Sequence, residues 1–413
     1  MIRKLNVYLH GEKAGVLAGD EQAGLSFRYE SGARHFLSVR MPLRDEEYPH
    51  AYAYPYFENL TPEGRPLEII ADKLRVSENN PLSILEKIGG DCAGAVALYE
   101  GEKPAGSRKP LKEISEKDMA RLIDELPDNP LLTGIKNPPR LSLAGAQSKF
   151  AVCGGSVLYC PNDSYPSTQI IKIGNSKYTG IVQNELFCMT LGRNLGLSIP
   201  QSVCLRKAAG RLYLDISRYD RRIVSQQGGV FKVERIHQED FCQALGYPSS
   251  KKYQADGGPG LRDCYQAITE YSRNKVADVL SLLQWAAFNY LIGNADAHAK
   301  NLSFLHSNGG ITLAPFYDIL STEIYPEKIT SRKIAMLING KDNYEKIRRK
   351  DFLAVFRQLG LNPSQAMKNV SQRFAGIAEC AKALRDRLNS DNLTASPVYD
   401  AIIAIINKRL PVV

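Results

Sequence analysis

The sequence predicts an α+β protein made of a small mixed unit, a strand-rich segment and a helical remainder. Three observations carry this expectation. Apolar and polar residues alternate in Leu5-Asn6-Val7-Tyr8-Leu9 and give way to helical spacing at Leu67, Ile70 and Leu74, as a mixed unit over residues 1–105 requires. Strand-like alternation, as in 168–173 and 211–215, marks the span 111–225. From 226 to 413 the period is helical, with Val276, Val279, Leu280, Leu283, Ala287, Tyr290 and Leu291 forming one apolar face.

The first two units are joined by residues 101–110, a linker by its Pro, Gly and charged residues. A short helical segment then leads to Pro138-Pro139. Next comes Leu141-Ser142-Leu143-Ala144-Gly145-Ala146-Gln147-Ser148-Lys149, a turn of small residues running into Phe150, Ala151 and Val152. Small residues let backbone N–H groups approach phosphate oxygens, and Lys149 adds a charge. The Walker A spacing is absent, and an ordinary hairpin turn accounts for the segment as well. Lys172 lies in the strand-like 168–173, followed by turn residues Gly174 and Asn175. On a half-buried strand, a lysine ordinarily extends its ammonium to water. Glu185 opens an amphipathic helix marked by Leu186, Met189 and Leu195 and ending near Gly196, before Pro200. An acid in a first turn is favoured by the helix dipole alone.

The helical face at 276–291 delivers the chain to Gly293-Asn294-Ala295-Asp296-Ala297-His298-Ala299-Lys300-Asn301. Two short apolar segments, 302–305 and 311–314, separate this loop from Pro315-Phe316-Tyr317-Asp318. Phosphoryl transfer needs a carboxylate to take the proton of the attacking hydroxyl, an Asn to hold a metal and a second Asp to bind Mg²⁺ between the ATP phosphates. Asp296, Asn301 and Asp318 fit those roles in that order. Alone, such a run also fits a turn, because Asp and Asn bond their own backbone. The full order is more specific: small-residue turn, strand lysine, helix glutamate, acidic loop, second Asp. In that setting Lys172 contacts ATP phosphates and pairs with Glu185. His298 could be a metal ligand or second base, but a single His in a polar loop reads first as holding backbone. Trp285 and Tyr290 read as packing, as does the helical wording at 398–406, and there are no repeats or low-complexity tracts.

Composition excludes several classes. Hydrophobic content of 44% and charged content of 23% are ordinary for a globular protein. No apolar run is long enough to span a bilayer, and the first residues lack a signal-peptide core, so a cytoplasmic location without membrane association is expected. Cysteines 92, 153, 160, 188, 204, 242, 264 and 380 include no C-x-x-C pair, so they read as reduced fillers rather than a zinc site or disulfide framework. The net charge of +9 draws a protein toward phosphate backbones, yet no helix-turn-helix or other reader motif is present. Its densest cluster, Lys346-Ile347-Arg348-Arg349-Lys350, precedes the apolar face Phe352, Val355, Phe356 and Leu359 and reads as a solvated helix start.

The wording of several segments, in this order, resembles the HipA-type serine/threonine protein kinases, the toxins of bacterial toxin–antitoxin pairs. The segments are Tyr56-Phe57-Glu58-Asn59-Leu60-Thr61-Pro62-Glu63-Gly64, Ile88-Gly89-Gly90-Asp91-Cys92-Ala93-Gly94-Ala95-Val96, the 142–149 loop, Gln238-Glu239-Asp240-Phe241-Cys242-Gln243, Tyr253-Gln254-Ala255-Asp256-Gly257-Gly258-Pro259-Gly260 and both acidic motifs. The resemblance implies a protein-kinase-like two-lobed fold with an extra N-terminal α+β subdomain at 1–105, an ATP lobe at 111–225 and a helical C-terminal lobe at 226–413. It makes Asp296 the catalytic base and Asn301 and Asp318 the Mg²⁺ ligands. Nucleotide binding falls to Lys172, to Ala144, Gly145, Ala146, Gln147 and Lys149 of the phosphate loop, to the hinge near Ser217 and Tyr219, and to His298 and Lys300. Ser142 stands where family members phosphorylate themselves, which is associated with loop ejection and loss of activity. Ser148 departs from relatives that carry Glu or another residue there. The implied partners are a small dimeric helix-turn-helix antitoxin (HipB-like), operator DNA through that assembly, and a protein substrate such as an aminoacyl-tRNA synthetase. Two other readings stand beside the protein kinase: a small-molecule kinase with the same loop, and a catalytically weak corepressor. Retention of Lys172, Asp296, Asn301 and Asp318 speaks against the last.

Overall fold

The N-terminal alternation becomes a four-stranded antiparallel sheet in the computed structural model, which describes residues 2–20, 24–104, 110–133, 138–162 and 165–413. Its strands β1 (Arg3–Leu9), β2 (Glu12–Asp20), β3 (Gly24–Tyr29) and β4 (Val96–Tyr99) lie in the order β3-β2-β1-β4. Leu5, Val7 and Leu9 of β1 point inward, toward Phe27, Phe57 and Leu85. Helices α1 (His50–Glu58), α2 (Gly64–Leu74) and α3 (Pro81–Ile88) complete this unit. In helix α3 Pro81 takes the first position and Ser83 N–H donates to Asn80 Oδ1. Residues 105–109 of the expected linker lie outside the described residues.

The short helix after the linker is α4 (Glu116–Glu125), capped by Ser115, whose Oγ accepts from Asp118 N–H. A five-stranded antiparallel sheet follows, in the order β6-β5-β7-β9-β8, from β5 (Lys149–Gly154), β6 (Leu158–Tyr159), β7 (Gln169–Ile173), β8 (Val203–Ala208) and β9 (Arg211–Ser217). Met119, Leu122 and Ile123 of α4 cover one face, against Phe150, Val152, Ile171 and Ile173. On the opposite face the register aligns Lys149, Lys172 and Leu214 in one row and Ala151, Ile170 and Ile216 in the next. Strand β9 runs to Ser217, past the expected end at 215, because its ladder with β7 continues to Gln169. The following hairpin, β10 (Arg221–Gln227) and β11 (Val230–Arg235), contains residue 225, so the expected lobe boundary falls inside a strand.

Helix α5 (Ile181–Asn194) connects β7 to β8 and packs into the large core of the helical half. That half contains the sheet β12 (His237–Asp240), β13 (Ser303–Ser307), β14 (Gly310–Leu313), the hairpin β15 (Lys333–Ile338), β16 (Lys341–Asn343), and helices α6 (Phe241–Leu245), α7 (Leu261–Tyr271) and α8 (Lys275–Ile292). Helices α9 (Arg349–Gln358), α10 (Pro363–Phe374), α11 (Ile377–Asn389) and α12 (Val398–Arg409) pack around them. Aromatic stacks tie the layers: Phe187 on Tyr399 at 4.9 Å and Phe288 on Phe374 at 5.8 Å. Trp285 and Tyr290 are buried in this core, as expected. Val276 is not: it is 86% exposed, although Asp278 and Val279 just after it are buried, so the covered part of this face begins after Val276. All eight cysteines are free thiols; Cys160, Cys204 and Cys380 are half-buried and the others buried. Among the described residues no helix is long and apolar enough to cross a membrane.

Candidate active site

Helix α8 is built to stop where the polar loop begins. Gly293 takes the left-handed conformation at φ +75°, and its N–H bonds back to Asn289 and Tyr290 carbonyls. The chain then turns into Asp296, and Asn301 closes the loop by donating from Nδ2 to Asp296 O at 2.9 Å. Strands β13 and β14 carry the chain on to Asp318, which itself adopts φ +53°. Asp296, His298, Lys300, Asn301 and Asp318 all line one cavity of about 910 Å³ between the five-stranded sheet and the helical half. Ala144, Gly145, Ala146, Gln147, Lys149, Lys172, Ser217 and Tyr219 line it as well.

Lys172 is the electrostatic centre. It is 4% exposed, 2.6 Å from Glu185 Oε1, and also contacts Asp318 Oδ1. Burial alone would lower its pKa, but Asp318 and Glu185 raise it, so it stays an ammonium. Burial acts on Asp318 in the opposite sense and is overcome by Lys172 and Lys149, which bring its pKa down to about 2. Glu185 is fully buried with Oε2 unpartnered, and burial keeps its pKa raised. Its placement corrects the sequence reading: Glu185 lies in the second turn of α5, not the first, so pairing and not the helix dipole accounts for it. Lys149 stands beside Lys172 across the ladder, and its pKa is lowered by burial.

The remaining expected residues are held by contacts of their own. Ser142 does not line the cavity. Its side chain is fully buried and donates to Leu60 O of the N-terminal unit at 2.6 Å. Lys300 lines the cavity, but its ammonium turns to the N-terminal unit, 2.6 Å from Asn59 Oδ1 and 3.1 Å from Glu63 Oε1. It is therefore already neutralised. His298 is buried, and burial lowers its pKa to about 4, so the ring is neutral at pH 7. It packs edge-on against Tyr253 at 5.2 Å. Ser217 and Arg218 spend their N–H groups on Ser202 O and Thr168 O, while the Tyr219 ring stacks on Tyr317 at 5.7 Å.

Three contributors had no assigned role in the sequence. Tyr253 donates its hydroxyl to Asp296 Oδ1 at 2.6 Å. Glu63 bonds Lys252 at 2.6 Å. Asp91 gathers Arg221 at 2.9 Å and Arg235 at 3.0 Å, and Arg221 and Arg218 share Asp220, beside the hinge. Each lies within or next to one of the quoted family segments, which was the available signal; their partners are far away in sequence, which hid what they do.

A metal held by this site would draw on Asn301 and Asp318. Among the described residues no cluster of three or more His, Cys, Asp or Glu could hold an ion by itself. Such a donor set, one carboxylate and one amide, suits Mg²⁺, which keeps waters and takes phosphate oxygens as its remaining ligands.

A strand lysine paired with a helix glutamate, facing an acidic loop across a cleft between a sheet lobe and a helical lobe, defines a kinase of the two-lobed class. The comparisons narrow this. The chain matches the HipA-like C-terminal domain over residues 141–381 and the HipA N-terminal domain over residues 5–99. It is 35% identical to a Sinorhizobium fredii protein named as a kinase, Y4mE, over 93% of each chain. It is 31% identical to the Shewanella oneidensis serine/threonine-protein kinase toxin HipA, over 77% of this chain and 73% of the relative. The structure of Shewanella oneidensis HipA, solved with HipB and its operator DNA, superposes with a TM-score of 0.82 at 27% identity, covering 98% of this chain and 96% of that one. This chain belongs to the HipA family of kinases.

Proposed function

We propose that the chain is a Mg²⁺- and ATP-dependent serine/threonine protein kinase acting as the toxin of a toxin–antitoxin pair. The observation that carries this reading is Lys172, paired with the buried Glu185 and lining the same cavity as Asp296, Asn301 and Asp318. Lys172, now on Asp318, is the group that would hold nucleotide phosphates. Asp296, half-exposed at 51%, would take the proton of a seryl or threonyl hydroxyl. Asn301 and Asp318 would hold Mg²⁺, which when bound neutralises charge on the transferred phosphate. Cradling by small residues is supported by Gly145, whose φ of +101° disfavours any side chain and which lies beside Lys149 Nζ. Main-chain recognition of adenine would fall to Tyr219, since the N–H groups of Ser217 and Arg218 are taken.

A helix-turn-helix antitoxin and operator DNA are proposed as partners, supported by the likeness to HipA solved with HipB and DNA. For substrate, an aminoacyl-tRNA synthetase or another translation component in the cytoplasm is proposed. Self-phosphorylation at Ser142 requires the 141–149 segment to leave its place, because the hydroxyl faces Leu60 and not the cavity. The deciding experiment is Asp296→Asn, with phosphoproteomics of cells briefly expressing either form. The variant should keep fold and ATP binding and lose transfer by about 10²–10⁴-fold. Undiminished phosphorylation would overturn the assignment.

A further inference from the structure

One carboxylate of the N-terminal unit lines the cavity that holds Asp296. Glu63 immediately precedes α2 and its side chain is 13% exposed. Oε2 accepts from Lys252 Nζ at 2.6 Å and Oε1 lies 3.1 Å from Lys300 Nζ. These two lysines belong to the two segments that meet at Asp296. Lys252 precedes Tyr253, whose hydroxyl donates to Asp296 Oδ1 at 2.6 Å. Lys300 precedes Asn301, whose Nδ2 donates to Asp296 O at 2.9 Å. The Tyr253 segment is also tied on its far side, where Leu337 N–H donates to Gln254 Oε1 at 2.7 Å. Burial by itself would raise the pKa of Glu63, but Lys300 and Lys252 overcome it and bring it to about 2, so the carboxylate is ionised at neutral pH.

We propose that Glu63 is a positioning residue of the active site, pinning the Tyr253 segment and the catalytic loop in register on Asp296. This rests on the kinase reading given above. Asp296 is half-exposed, and a half-exposed carboxylate otherwise samples several rotamers. A phenol held in place occupies one of its oxygens and leaves the other for the acceptor hydroxyl, which is the kind of alignment that small displacements spoil. Without Glu63 the carboxylate that joins the two ammoniums is gone, Lys300 keeps Asn59 at 2.6 Å and Asp240 at 3.8 Å, and the link between the two segments is lost. The N-terminal unit thereby becomes part of the catalytic apparatus.

The test uses the full chain with Glu63→Gln, Glu63→Asp, Tyr253→Phe and the double variant Glu63→Gln/Tyr253→Phe. Transfer of labelled phosphate from Mg·ATP to casein and to the chain itself is followed alongside ATP affinity. Glu63→Gln should slow transfer by about tenfold while ATP affinity stays within about twofold, and Glu63→Asp should recover part of the rate. The double variant should be no slower than the slower single one, because both remove the same constraint. Amide exchange should rise in Glu63→Gln over 250–256 and 293–301. Multiplicative rate losses, an effect confined to ATP affinity, or unchanged exchange in both segments would overturn the proposal. A wild-type chain that transfers no phosphate would defeat the kinase reading instead, while the exchange measurement would still judge Glu63.

Discussion

Replacing Lys172 by Met removes the ammonium on which Glu185 and Asp318 converge and keeps a side chain of similar length. Breaking a buried ion pair by deleting one partner costs about 3–5 kcal/mol, because the remaining charge stays buried. Here the two carboxylates differ. Asp318 is 35% exposed and can turn toward water, whereas Glu185 is fully buried with one oxygen already unpartnered. The loss should therefore fall at the lower end, about 3 kcal/mol at pH 7.5. Glu185 relieves part of it by taking up a proton. Its pKa in the folded chain, already raised by burial, rises further when Lys172 is gone. A group raised on folding adds stability that is complete below its unfolded value of 4.5 and is lost as pH climbs through the folded value. The deficit relative to wild type should thus be largest at pH 7.5 and shrink toward pH 5. Urea midpoints of both forms at pH 7.5, 6 and 5 measure it. Equal midpoints at pH 7.5, or a deficit that does not shrink on acidification, would refute the reasoning.

Asp318→Asn should weaken Mg·ATP binding more than metal-free ATP binding; titrations with and without Mg²⁺ check this, and unchanged Mg·ATP affinity would count against a metal role. Ser142→Ala leaves Leu60 O without its donor and should cost about 1–2 kcal/mol, while Ser142→Asp should expose the 141–149 amides to exchange, since a charge does not fit that buried position. Acid should unfold the chain through Asp220, Asp318 and Glu63, each held to about 2 against unfolded values of 3.8, 3.8 and 4.5. Asp220 and Glu63 each contribute on the order of 2 kcal/mol, and Asp318, 35% exposed and so screened by water, well under that; all of it is complete above those unfolded values and lost as pH falls toward 2, and a flat midpoint profile from pH 5 to pH 3 would disprove it. Asp215 works in the opposite direction, since burial raises its pKa to about 6. Asp215→Asn should gain stability relative to wild type as pH rises from 4 to 7, and a constant difference across that range would exclude the effect.

The family segments and the order of Lys172, Glu185, Asp296, Asn301 and Asp318 were legible in the linear chain. Catalytic loops keep residue types at short fixed spacings, and β7 and α8 announce themselves by period. Helix caps are local too, Asn80 before Pro81 and Gly293 after Ile292, though only the structure assigns them here. Less legible were positions whose period was right but whose surroundings were not, such as Val276, which faces water while Val279 on the same face is buried.

What the sequence determined by itself was therefore local, namely which segments are strands or helices and which short runs carry phosphoryl-transfer residue types. Tertiary structure decided the pairings that cross the chain: Glu63 with Lys252 and Lys300, Asp91 with Arg221 and Arg235, Tyr253 with Asp296, and Ser142 with Leu60. The physical reason is that a buried charge must find a counter-charge wherever packing brings one, and that partner has no fixed distance along the chain. Lys300 illustrates it: the family resemblance assigned it to nucleotide binding, and its ammonium instead meets Asn59 and Glu63 of the N-terminal unit.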